Sequence, residues 1–234
     1  MKINIFIATL TILSCTVQAQ DSTVYYNEQQ QLLLGNLTTH YQLPALNGYV
    51  KQVSFTAMQM GYSHQKSDAY VLQRGSGNSR FQIQVDSYQK KDKNLNLWGS
   101  FNYSNQKIHD VNFNESLDFD KVYPYLTTDT IGGNIAQEQY AIMGGFSKTL
   151  GSMTYAFESS FTGKQDTRSR DPRINNISTD FRINHSASRA LTANYAVGLS
   201  VQGSRYMQKN KVSFNSEMGN PTLYHETGIG TYNR

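Results

Sequence analysis

Residues 140–161 read YAIMGGFSKTLGSMTYAFESSF, and two periods lie in that stretch. Tyr140, Ile142, Gly144 and Phe146 fall on one side of a two-residue repeat, and Leu150-Gly151 punctuates it. Met153, Tyr155, Phe157 and Phe161 then resume on one side, away from Thr154, Glu158 and Ser160. A period of two is that of a β-strand, whose successive side chains point to opposite faces. Two such runs joined by a tight turn predict an antiparallel hairpin with one apolar and one polar face.

The pattern extends in both directions. Phe81, Ile83 and Val85 alternate with Gln82, Gln84 and Asp86. Leu95, Leu97, Gly99, Phe101 and Tyr103 alternate with Asn96, Trp98, Ser100, Asn102 and Ser104, with Trp98 the exception on the polar side. Ile177, Phe181 and Ile183 alternate with Ser178, Asp180, Arg182 and Asn184, and Leu191 to Val201 continues the series. Strands are expected at about 51–62, 80–89, 94–106, 138–149, 152–163, 176–186 and 189–207. The connections Lys90–Lys93, Leu150-Gly151 and Ala187-Ser188 are tight, whereas 63–79, 107–137 and 164–175 are long and polar. That alternation of short and long is the pattern of a transmembrane barrel, with short turns on the periplasmic side. The expected fold is therefore all-β, an antiparallel up-and-down transmembrane β-barrel over residues 51–234.

Composition points the same way. Only 16% of residues are charged, while Asn, Gln, Ser and Thr together number 81 of 234. Aromatics make up 12%, which excludes a disordered chain, and the scarcity of charge excludes a coiled coil. A soluble β-sandwich also alternates, but its outer face would carry more Lys and Glu than these strands do. Uncharged polar residues suit the interior of a barrel, and short aliphatic and aromatic residues suit its lipid face.

The chain begins with Lys2, an apolar run from Ile3 to Leu13 and a Val17-Gln18-Ala19 end, the signature of a secretory signal peptide over 1–19. The rival reading, a lipoprotein box ending at Cys15, fits poorly at Leu13. Loss of 1–19 removes the single cysteine and lowers the formal charge from +4 to +3, too little for a nucleic-acid groove. Residues 20–50 are expected to form a periplasmic N-terminal segment, with a short helix near 28–35, either a plug or cap for the barrel or a loosely ordered leader with one docked turn.

The segments VQAQD (17–21), LNLWGSFNYSNQKI (95–108) and YAIMGGFSKTLGSMTYAFESSF resemble outer-membrane β-barrels of the Bacteroides group. That resemblance implies an outer-membrane location and the barrel fold, and no functional residue. It is to longer proteins. An eighth strand at about 221–232, through Leu223, His225, Thr227 and Ile229, would complete a small even-numbered barrel. The Gly-Thr-Tyr-Asn-Arg ending suits a closing strand poorly, and the resemblance to longer proteins implies instead the N-terminal part of a larger barrel, with an open sheet.

No motif carries chemistry. His40, His64, His109, His185 and His225 share no metal-ligand spacing, so neither a metal nor a cofactor is expected. Asp110, Glu115, Asp118 and Asp120 lack the glycine and spacing of a calcium loop. No nucleophile elbow is present, and a non-enzymatic protein is expected. Asp86, Glu158, Asp180 and Arg182 are candidate lumen charges, either a solute filter or a lattice of ion pairs filling the lumen. Phe113, Phe119, Tyr123 and Tyr125 on one loop, and Arg168, Arg170 and Arg173 on another, are candidate contacts for a protein or glycan partner. The preferred function is a channel or transport barrel in outer-membrane lipid; the alternative is a closed barrel that binds partners through its loops.

Overall fold

The structure is a computed structural model that describes residues 43–51, 53–192, 195–215, 222–228 and 231–233. The signal segment and the short helix expected near 28–35 lie outside these. The fold is all-β and antiparallel, with almost no helix. A single turn of 3-10 helix at Pro44–Leu46 and one α-turn at Asn47–Val50 lead into β1 (Phe55–Lys66). β2 (Gly77–Lys90), β3 (Leu95–Val111), the two-residue β4 (Thr127–Thr128), β5 (Gly133–Leu150), β6 (Met153–Thr167), β7 (Arg173–Ala190) and β8 (Ala196–Lys209) follow. Three short strands, β9 (Val212–Ser213), β10 (Tyr224–Gly228) and β11 (Thr231–Asn233), complete the order.

The seven long strands form one meander in sequence order, β1-β2-β3-β5-β6-β7-β8. Its register is set by the two-residue repeat, because a one-residue slip would move every apolar side chain to the other face. On the outer face Met58, Val85, Phe101, Ile142, Phe161 and Phe181 stand opposite one another in turn across six strands. Met60, Ile83, Tyr103 and Tyr140 make the adjoining row. These side chains are exposed: Met58 is 65% accessible and Ile142 55%. The inner face carries Asn96, Trp98, Ser147, Thr154, Ala156, Asn184, Ser186 and Ser188, all buried. One face of the sheet is thus apolar and exposed, and the other polar and largely covered.

Among the described residues no hydrogen-bonded pairing joins β1 to β8, so the sheet is open, as the sequence led one to expect. The strand expected at 221–232 does not join it. β10 pairs with β4 and β11 in a separate three-stranded sheet, because Tyr224 and His225 find Thr128 and Thr127 in the long loop. Ile229 lies outside the described residues.

Two further expectations are corrected. The segment 164–175 is not a long loop: β6 runs to Thr167 and β7 begins at Arg173. The strands continue past the apolar band with both faces polar, so a reading that equates polarity with loop ends them early. The turn placed at Ala187-Ser188 lies at 191–195, where the Leu191 amide donates to the Tyr195 carbonyl at 2.9 Å. Leu191 and Tyr195 share the parity of the strand and conceal the break. The connections are therefore 67–76, 91–94, 112–132, 151–152, 168–172 and 191–195, and strict alternation of short and long fails at the last two.

Candidate functional site

The inner face is occupied at both ends by segments of the same chain. At the short-turn end the 3-10 turn docks against β6 and β7. The Ala45 amide donates to Ser186 Oγ at 3.0 Å, and Ser188 Oγ donates to the Ala45 carbonyl at 3.3 Å. Ala45, Tyr88, Trp98 and Ala156 make a small buried cluster there, with Phe55 and Met143 against it. Proline at the first position of the turn sets its backbone without sacrificing a hydrogen bond.

At the other end the loop 112–132 folds inward. Asp118 adopts a left-handed backbone (φ 53°) that turns the chain toward the sheet. Its carboxylate accepts from Lys164, from Ser178 Oγ at 3.1 Å and from the Tyr206 hydroxyl at 2.9 Å. Lys121 reaches Asp180 and lies 4.4 Å from the Tyr206 ring centroid. Above this layer Arg168 donates to Glu115, both side chains essentially inaccessible to solvent, and Asn176 donates to the Glu115 carbonyl.

One guanidinium faces two carboxyl groups in that upper layer. Asp129 is also fully buried and lies in hydrogen-bond contact with Glu115. Glu115 Oε2 and Asp129 Oδ2 have no donor among the described residues. Two carboxylates cannot hydrogen-bond to each other without a proton between them. Burial pushes the Glu115 carboxyl up to about 8, Arg168 offsets only part of this, and Asp129 adds to it. Burial thus favours the protonated, uncharged form of the Glu115 carboxyl, which spares the site one buried negative charge.

Between the two plugs lies a cavity of about 250 Å³, lined by Lys51, Trp98, Met143, Glu158, Arg182, Asn184 and Gln202 among others. Trp98 Nε1 donates to Glu158 Oε2 at 2.8 Å. Lys51 Nζ sits 5.3 Å from the Tyr88 ring centroid. Burial holds its ammonium below the usual lysine range, against the pull of Asp86 and Glu158.

The four charges singled out in the sequence all face inward. Asp86 accepts from Gln84 at 2.7 Å, and Glu158 and Arg182 border the same cavity. Asp180 and Arg182 pair at 3.0 Å, as their spacing on one strand face led one to expect. Sequence reading missed Lys164 and Asp166, which continue the inward parity of Glu158 along β6 and were hidden by the loop assignment. It also missed Lys51, which no periodicity marks.

The loop residues separate. Tyr123 and Tyr125 are 62% and 69% exposed, Phe113 is exposed, and Phe119 is half-buried with its ring 5.4 Å from that of Tyr123. Arg170 is exposed, and Arg173 pairs with Asp171. Arg168 is a correction: just past the end of β6 it keeps the inward parity of Lys164 and Asp166, so it is buried against Glu115 and unavailable to a partner. Among the described residues no group of three or more His, Cys, Asp or Glu is arranged to hold a metal ion.

These features define an antiparallel all-β protein whose polar face is filled by its own chain. Residues 44–234 match the Family of unknown function (DUF6850), and the chain belongs to that family. No curated protein and no solved structure matches it.

Proposed function

We propose that this protein is an integral outer-membrane β-barrel protein, exported through its N-terminal signal, that works through the surface at its long-loop end. The observation that carries the proposal is the outer apolar band. It runs from Tyr140 to Leu150 on β5, interrupted by the exposed Lys148, and from Met153 to Phe161 on β6, interrupted by Ser159. That is the span of ~9–11 tilted residues a strand needs to cross the hydrocarbon layer. A water-soluble protein rarely leaves contiguous apolar area of this extent uncovered.

Two uses of such a barrel differ in what they ask of the inner face. A passive channel needs a continuous aqueous path, and here the turn at 44–50 and the loop 112–132 both lie across it. The partner-binding reading needs only a stable scaffold and an accessible loop surface. Exposed Tyr123 and Tyr125, with Tyr232 packed edge-on to Tyr224 at 5.2 Å, supply aromatic surface for a protein or glycan partner. The plugged inner face therefore favours partner binding over passive transport.

Membrane fractionation with a carbonate wash tests the location: the protein should stay with the outer membrane, and its release intact would overturn the proposal. Planar-bilayer reconstitution of the full chain tests the use. No steady conductance is expected, and a stable open-channel current would restore the transport reading.

A further inference from the structure

We propose that the outer face of β1–β3 carries a binding site for the phosphate groups of anionic membrane lipid, formed by His64, Lys66, Ser79, Lys107 and His109. The inference rests on the membrane reading above. Strand register assembles the site: His64 pairs with Ser79 and Ser79 with Lys107, while Lys66 pairs with Gly77 and Gly77 with His109. All five side chains share the parity of Tyr62 and Phe81, which belong to the next row toward the apolar band.

The site is held in shape by one hydroxyl. His64 Nδ1 lies 2.9 Å from Ser79 Oγ, and Ser79 Oγ lies 3.2 Å from His109 Nε2. A hydroxyl donates one proton and accepts others, so it orients both rings at once. Gly77 places no side chain between Lys66 and His109; a Cβ there would stand 2.0 Å from the Gln65 carbonyl oxygen, so the strands approach closely at this point. Neither Lys66 nor Lys107 has an acidic partner among the described residues. Glu138, the acid nearest in register on this face, accepts from Asn105 at 3.2 Å.

The charge is local. Continuing the row of His64 and Ser79 across the sheet gives Ala136, Thr167 and Asn175, none of them charged. Two ammonium groups and two imidazoles at the rim of an apolar band match an amphiphile whose chains lie on Tyr62, Phe81, Met60 and Ile83. Free phosphate would make no use of that apolar floor. Basic residues close to a membrane surface are attracted to anionic headgroups in this way.

The test uses the purified full chain, titrated with lipid A, phosphatidylglycerol and phosphatidylcholine and read by native mass spectrometry. Flotation with phosphatidylcholine vesicles is run in parallel. Wild type should retain the two anionic lipids over phosphatidylcholine, and K66Q/K107Q should lose about tenfold or more in that retention. K91Q/K93Q, with the same charge change in the opposite turn, should behave as wild type. Equal retention of all three lipids, or an unchanged K66Q/K107Q protein, would overturn the site while flotation still upheld the membrane reading. Displacement by inorganic phosphate as effective as by lipid A would mark a free-anion site and overturn the lipid assignment. Absence of flotation for wild type would remove both readings together.

Discussion

Glu115 is the residue on which the docked loop depends most. Its carboxyl is pushed from an ordinary value of 4.5 up to about 8 by burial, so the folded state holds a proton that the released loop has lost across that interval. Where the folded state binds more protons, stability falls as pH rises. Docking of 112–132 should therefore be firm at pH 5 and weaken progressively toward pH 8, with no further change below about 4.5. Limited proteolysis around Tyr123 and Tyr125 at graded pH reads this directly. Glu115→Gln keeps an acceptor for Arg168 and has no proton to lose, so it should flatten the profile; an unchanged slope would refute a protonated Glu115. Glu115→Ala leaves Arg168 without the carboxyl it donates to and should cost about 1.5–3 kcal/mol, the value of a buried hydrogen bond to a charged group.

Gly145 is fixed by a different constraint. A Cβ there would stand 2.6 Å from the Trp98 ring, which lies over the glycine from the neighbouring strand. Gly145→Ala should destabilise the protein by about 1–3 kcal/mol through overpacking. Trp98 is the single tryptophan, so its fluorescence reports the displacement without ambiguity. An emission spectrum and melting temperature equal to wild type would contradict this account of the pair.

At the scale of elements, the turn at 44–47 is pinned by two serines of β7. Removing both hydroxyls in S186A/S188A should weaken its docking by about 1–2 kcal/mol, given about 1 kcal/mol for each hydrogen bond. Faster amide exchange at Ala45 with unchanged protection in β6 is the expected signature. Equal exchange in both proteins would show that apolar contact with Tyr88 and Trp98 holds the turn alone.

The strands were legible in the sequence because burial imposes a period of two. Tyr140 to Phe146 and Met153 to Phe161 sit where the pattern put them, and Trp98 was recognised as an apolar residue on the polar side. The structure supplies the reason: its indole bonds Glu158 and its ring covers Gly145. Strand ends were not legible where both faces turn polar, as at Lys164–Thr167, since no contrast remains to mark the period. The inner site was half legible for the same reason. Asp86, Glu158, Asp180 and Arg182 lie on periodic strands, whereas Glu115, Asp118, Lys121 and Asp129 come from a loop whose docking no local pattern records.

For the whole molecule, the decisive question is what covers the outer face. Ile142 is 55% exposed, opposite Phe101 and Phe161. On a surface facing water, Ile142→Lys would change stability by no more than about 0.5 kcal/mol. Within a bilayer it should cost about 2–4 kcal/mol if it lies near the midplane. Urea unfolding from lipid vesicles separates the two values.

The most direct measurement is the accessibility of spin labels placed singly at residues 140–144, 146 and 147 of β5, in the full chain held in its membrane. Labels at Tyr140, Ile142, Gly144 and Phe146 should be relaxed by lipid-dissolved oxygen and shielded from an aqueous nickel reagent. Those at Ala141, Met143 and Ser147 should show little contact with oxygen; Gly145 is left unlabelled because of Trp98. A period of two in oxygen accessibility along this strand is the predicted result. Equal access of the nickel reagent to Ile142 and Phe146 would place the outer face in water and contradict the account.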